Sequence, residues 1–312
     1  MRISVCIPSV RSTTLERAVA AVRRQGFQDW ELVVVGQGDG TALCEATARG
    51  ARGDRRVRYL HADRPGLCAA RNAGMAATYG EIVAFVDDDC EPRQDWLATL
   101  DACLTADVGL VCGAVIAPAK ARRGFAVCPQ IVPDSVLFDP ATSPRPPGFG
   151  LLGANFAVRR SAAERVGLFD ECLGAGARFG GGEEYDYVDR LALLGVRMRS
   201  SPEPVVDHSY GYRYGARAVL SHKSQRARGN GALAAKRMMV RAQPAQPPIW
   251  RSVRRELGEQ LRTMTLWRAV PKSYRLFHYM TGFTECLMSY ELCEGGDPGG
   301  ALLRPTGTRR WM

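Results

Sequence analysis

The 312-residue chain is 46% hydrophobic and 24% charged, which suits a sizeable core and excludes a disordered or fibrous protein. No apolar run approaches the roughly 18 residues of a membrane span, the opening MRISVCIPSV lacks the length and cleavage site of a secretory leader, and the ten cysteines contain no C-x-x-C pair, so a cytoplasmic protein with reduced thiols is expected. The net charge of +10 is uneven: residues 1–210 carry 24 basic and 26 acidic groups, and 211–312 carry 18 and 6.

Arg2 to Ile7 runs apolar into Pro8, which reads as a buried strand stopped by a proline that cannot donate to the ladder. Ser12, Thr13 and Thr14 offer N-caps to a helix whose Leu15, Ala18, Val19 and Val22 recur at helical spacing. Strands are expected at 31–35, 57–60 and 81–86, alternating with helices at 41–52 and 69–78. This β-α alternation predicts an α/β fold with a mainly parallel sheet flanked by helices. Ligands of such sheets sit beyond the carboxyl ends of the strands, where Pro8-Ser9, Gly36-Gln37-Gly38 and Asp87-Asp88-Asp89 fall.

A helix over 94–104 and a strand over 109–116 precede a stretch with seven prolines between Pro118 and Pro147. It reads as a surface excursion, either a solvated insertion or a wall of the substrate cleft. A strand over 151–158, a short helix capped by Ser161, and a glycine-rich loop from Gly174 to Gly182 lead into Glu183-Glu184-Tyr185-Asp186 and a helix through Leu194.

Three residue groups have the chemistry of a site. Asp87, Asp88 and Asp89 crowd the mouth of a buried strand, where carboxylates repel unless a cation relieves them. They suit Mg²⁺ or Mn²⁺ with positions left for phosphates, or else form an acidic turn with Asp89 or Glu91 capping the next helix. Glu183, Glu184, Asp186 and Asp189 either complement a helix dipole or include a general base beside a glycine-rich lid. His208 closes a strand over 202–206 and is either a structural histidine or a metal ligand.

The segments Ile3-Ser-Val-Cys-Ile-Pro-Ser9, Trp30-Glu-Leu-Val-Val-Val35, Gly66-Leu-Cys-Ala-Ala-Arg-Asn-Ala-Gly74, Gly80-Glu-Ile-Val-Ala-Phe-Val-Asp-Asp-Asp89 and Gly182-Glu-Glu-Tyr-Asp186, in this order, resemble a family 2 glycosyltransferase of the GT-A fold. The resemblance implies a nucleotide-sugar donor bound near Pro8, Ser9, Arg71 and Asp87 and a Mg²⁺ or Mn²⁺ ion on Asp89; the expected donor site also takes in Gln37 and Asp88, and the expected metal site Asp87 and His208. The resemblance also implies inverting transfer to a carbohydrate, lipid-linked or small-molecule acceptor hydroxyl, with Glu184 or Asp186 as catalytic base. Two departures stand out. Gly36-Gln37-Gly38-Asp39 replaces the family's Asp-Asp-Gly-Ser, which leaves the donor's base open, and Glu184 stands where the family has Asp.

The expected division is a GT-A domain over 1–210 and a basic, mainly helical extension over 211–312. Val253, Leu257, Leu261, Met264 and Trp267 recur at helical spacing among arginines, and Leu276 to Cys293 is aromatic and apolar. Such a tail either packs on the domain or holds the protein peripherally on an anionic inner membrane face. Two rival readings have less support. A sugar-1-phosphate nucleotidyltransferase needs a glycine-rich basic loop after the first strand, where this chain has Pro8-Ser-Val-Arg11. A non-catalytic nucleic-acid-binding protein would use the basic tail, but no nucleic-acid motif accompanies it, and no nucleic-acid partner is expected.

Overall fold

The computed structural model describes residues 2–117, 125–126, 130–147, 149–208, 212–213, 215–241, 272–293 and 301–306. The first half alternates as expected: β1 (Ile3–Ser9), α1 (Ser12–Arg23), β2 (Trp30–Gly36), α2 (Gly40–Ala51), β3 (Val57–His61), α3 (Leu67–Ala76) and β4 (Ile82–Val86). Then follow β5 (Cys90–Pro92), α4 (Trp96–Cys103), β6 (Leu110–Ile116), β7 (Phe125–Ala126), β8 (Val136–Phe138), β9 (Asn155–Arg159), α5 (Arg160–Val166), α6 (Glu183–Leu193) and β10 (Met198–His208). The described chain continues with β11 (Tyr212–Arg213), α7 (Ala216–Arg241), α8 (Lys272–Ser289), β12 (Tyr290–Cys293) and β13 (Leu302–Pro305). The expected helix bearing Val253 to Trp267 lies outside the described residues.

One sheet runs in the order β3-β2-β1-β4-β9-β6-β10-β5, with β8 also paired to β10. Strands β3, β2, β1 and β4 are mutually parallel, and β10 is parallel to β6. Antiparallel β9 is inserted between β4 and β6. Side chains alternate across the strands: Val5 and Ile7 join Leu15 and Val19 of α1 and Trp96 of α4 on one face. Cys6, Val33 and Phe85 join Cys68 of α3 and Tyr187 of α6 on the other. Burial on both faces is what a parallel sheet requires. At Gly74, α3 lies so close to β1 that a Cβ would stand 2.1 Å from Cys6 Sγ.

Local expectations need three corrections. Pro8 does not stop β1, which runs to Ser9 in register with Gly36; pairing with β4 ends at Cys6, so the missing N–H lies beyond the ladder that would have needed it. Helix α1 begins after Arg11, and α5 after Arg159, each without a side-chain cap bond, so neither the Ser12–Thr14 group nor Ser161 caps. The Asp triplet runs into β5 rather than capping α4, which starts after Asp95.

Among the described residues of the tail, α7 and α8 pack with the main domain in a third core. It joins Leu173 and Phe179 to Ala232, Ala235, Cys286 and Leu303, on both sides of residue 210. No helix among the described residues is long and apolar enough to cross a membrane.

Candidate active site

Parallel pairing of β1, β2 and β4 brings their carboxyl ends to one edge of the sheet. There the Gln37 backbone N–H donates to Ser9 O at 2.9 Å, and Gln37 Nε2 donates to the carbonyls of Arg64 and, at 3.1 Å, Gly66. Gln37 thus fixes the loop leading to α3.

The three aspartates have different surroundings. Asp88 is an anchor: its Oδ2 accepts from Ser9 Oγ at 2.9 Å and from the N–H groups of Val10 and Arg11 at 3.2 Å each. Arg11 Nη2 then donates to Asp88 Oδ1 and to Asp89 Oδ2, both at 2.8 Å. Asp89 Oδ1 lies 3.7 Å from His208 Nε2, because antiparallel pairing of β10 with β5 sets His208 opposite Cys90. Asp89, Cys90 and His208 offer ligand atoms within 4.8 Å of one another. A carboxylate with an imidazole would suit Mn²⁺ and would leave positions for water and phosphate oxygens. Burial and the adjacent aspartates push the Cys90 thiol well above its ordinary range, so it offers a hard ion little as a thiol.

Asp87 faces the other way, with Oδ1 3.9 Å from Arg71 Nη2. Burial pushes its carboxyl up to about 7 against the pull of Arg71. Arg71 is 1% exposed and enclosed by Phe85, Phe156 and Phe169, with centroids 5.4–5.9 Å from its guanidinium carbon. Its Nη2 donates to Gly153 O at 2.9 Å, and its Nη1 stands 3.6 Å from Glu183 Oε1. One buried guanidinium therefore bridges the end of β4 and the start of α6.

Helix α6 starts after Gly182, whose φ of +90° is left-handed and favours glycine. Glu183 and Glu184 are both buried in the first turn. Burial, then the proximity of Glu184, pushes Glu183 up to about 8 despite Arg71. Asp186 Oδ2 accepts from Arg190 Nε at 2.9 Å, and Oδ1 lies 2.6 Å from Lys236 Nζ. Burial raises this carboxyl, but Lys236 and Arg190 outweigh it and hold it below the usual range. Asp189 pairs with Arg237 at 2.6 Å.

Contacts thus join Ser9, Asp88, Asp89 and His208 at the strand ends, and Arg71 joins Asp87 to Glu183, next to Glu184 in the first turn of α6, while Asp186 is occupied by two cations. Sequence reasoning missed Arg11, Cys90 and Lys236. A cation one turn from Pro8 was a signal for Arg11, and adjacency to Asp89 for Cys90; Lys236 had none.

The profile described as Glycosyl transferase family 2 matches residues 4–167. The pre-mycofactocin glycosyltransferase of Mycobacterium tuberculosis is 29% identical over 213 residues, 67% of this chain and 43% of that protein. EpsH of Bacillus subtilis, a putative glycosyltransferase by name, is 31% identical over 85 residues, 27% of this chain and 23% of that protein. The chain spans less than half the length of these relatives. Among solved structures, the mannosyltransferase PcManGT of Pyrobaculum calidifontis, in complex with GDP-Man and Mn²⁺, has a TM-score of 0.59 at 18% identity, covering 92% of this chain and 87% of that one. TarS 1–349 of S. aureus, in complex with UDP-GlcNAc, has a TM-score of 0.53 at 15% identity, covering 95% of each chain. The fold is the GT-A fold of these transferases.

Proposed function

We propose that this chain, which belongs to glycosyl transferase family 2, transfers a sugar from a nucleotide-sugar donor to an acceptor hydroxyl with inversion. The observation that carries this reading is the meeting of two acidic groups, remote in sequence, on the buried Arg71, 3.9 Å from Asp87 and 3.6 Å from Glu183. In this reading the Asp87 group serves the donor and the Glu183-Glu184 group the acceptor.

On the donor side, Pro8, Ser9 and Gln37 form the strand-end floor, Asp88 holds the loop at 9–11, and Asp87 faces the ribose. Asp89 and His208, with Asp87 nearby, would hold Mg²⁺ or Mn²⁺. The ion, when bound, offsets the charge of the leaving diphosphate. On the acceptor side Glu184 takes the acceptor proton as the hydroxyl oxygen attacks the anomeric carbon. Glu184 is favoured over Asp186 because both oxygens of Asp186 face cations. Holding the two substrates in line supplies the rest.

A panel of UDP-, dTDP- and GDP-sugars with and without Mn²⁺ tests the reading. The expected result is a raised melting temperature with one donor class and release of its nucleoside diphosphate; no shift and no release across the panel would overturn it. The acceptor class is a carbohydrate, a small molecule or a lipid-linked sugar. The last is favoured by α8, which exposes Leu276, Phe277 and Met280 in a tail rich in arginine. With each basic residue near anionic lipid worth about 1 kcal/mol, peripheral binding at the inner membrane face follows. Equal recovery in the supernatant with neutral and anionic vesicles would count against it.

A further inference from the structure

Lys236 lies on α7, outside the expected GT-A segment, and its side chain is 2% exposed. Its Nζ reaches Asp170 Oδ2 at 2.7 Å and Asp186 Oδ1 at 2.6 Å. Asp170 also accepts from the N–H groups of Cys172 at 3.0 Å and Leu303 at 2.9 Å. Arg190, the second cation on Asp186, donates onward to Val166 O at 2.8 Å and Leu168 O at 2.9 Å. One lysine from the tail therefore joins the loop at 170, α6 and β13.

The cluster adjoins the acidic pair. The Asp186 N–H donates to Gly182 O at 2.9 Å, closing the turn that contains Glu183 and Glu184. Helix α7 meets the same turn at its other end: a Cβ at Gly229 would lie 2.4 Å from Gly181 O and 2.5 Å from Gly181 N. Gly229 and Lys236 are about two helical turns apart on α7, and between them they span the start of α6. Two carboxylates and two cations buried together are a poor way to gain stability, since apolar replacement of such clusters is often neutral or better. What they provide is a fixed geometry.

We infer that Lys236 is a positioning residue for the reaction: by clamping Asp186 it sets where Glu184 stands in the cleft. This rests on the reading of Glu184 as the base. It makes α7 part of the working enzyme, although none of the donor-side residues belongs to it.

The test compares Lys236→Met with the double variant Lys236→Met/Asp186→Asn, which removes one charge of each sign and keeps the cluster balanced if the single variant fails to fold. Melting temperature, affinity for UDP and GDP with Mn²⁺, and kcat and KM with the donor identified by the panel are measured in the full chain. The folded variant should keep nucleotide affinity and donor KM within a few-fold while kcat falls by about 10²-fold, the scale of an ångström-sized misplacement. Wild-type kcat in a folded variant would overturn the inference. So would a parallel loss of nucleotide affinity and kcat, which is the mark of general structural damage. Glu184→Gln, measured alongside, separates the two readings. If it loses kcat while the Lys236 variants keep theirs, only the positioning role fails; if it keeps kcat, the base assignment fails and the positioning role with it.

Discussion

The two acidic groups around Arg71 are supported in opposite ways. At the end of β4 the partners are near at hand in the fold's first half: Asp88 is held by Ser9, Val10 and Arg11, and Arg11 also reaches Asp89. At the start of α6 the support comes from the tail, through Lys236 and the Gly229 contact. The strand-end group is a product of the β-α alternation itself. The helix-end group depends on whether a later helix docks. Damage to α7 should therefore reach the acceptor side and spare the donor side.

The largest effect should come at the strand end. Asp89→Ala removes the carboxylate that faces His208, and transfer should fall by about 10²–10³-fold, the scale of losing one group that stabilises developing charge. Mn²⁺ affinity by calorimetry should fall with it, and full turnover of the wild type in excess EDTA would sink the metal assignment. Next comes Glu184→Gln, which keeps size and hydrogen bonding but cannot take a proton. Its kcat should drop by about 10²-fold with donor affinity kept. If Asp186→Asn shows that loss instead, the base lies two residues along and the contrast between the ends must be redrawn.

Gly229→Ala sharpens the comparison from the tail. The new methyl meets Gly181 backbone, and overpacking of this kind costs about 1–3 kcal/mol, read as a lower denaturation midpoint. Nucleotide affinity should hold, because the backbone that the new methyl meets is that of Gly181, at the start of α6 and not at the strand ends. A loss of nucleotide affinity larger than the loss of kcat would break the claim that the two ends are separately supported.

The smallest effect is one of pH. Glu183 has its folded value raised from an ordinary 4.5 to about 8, chiefly by burial. Ionising it costs the folded state, so its contribution to stability declines as pH rises through that window and is level above it. Glu183→Gln lacks this cost, and its melting temperature should gain on the wild type from about pH 4.5 to 8. Asp186 runs the other way: its lowered value stabilises the fold above the ordinary carboxylate range, and that contribution is lost as pH falls through the folded value. A gap between wild type and Glu183→Gln that is constant with pH would mean that the Glu183 carboxyl is not raised in the folded state.

Much of the strand-end group was legible in the chain. Alternation of apolar runs with helical spacing placed Ser9, Gln37 and Asp87–Asp89 on one edge, since parallel strands send all their carboxyl ends the same way. Pro8 was misread because local propensity cannot say where a neighbouring strand stops pairing. The insertion of β9 between β4 and β6 was equally invisible, since strand order is decided by which faces must be covered. Caps at Ser12 and Ser161 were expected from residue type alone, and the backbone took another course.

Periodicity and turn chemistry are local properties, and they were enough to read the alternating sheet, the edge where its parallel strands end and the residue types gathered there. Which cation faces which carboxylate was decided only by tertiary structure. Lys236 meets Asp170 across 66 positions of chain, and His208 meets Cys90 only because β10 and β5 pair antiparallel. Ion pairing acts over a few ångströms in space with no regard to separation along the chain, so no pattern in the sequence around Lys236 distinguishes it from the other basic residues of the tail. Burial against α6 does, because a charge withdrawn from water must find its partner there.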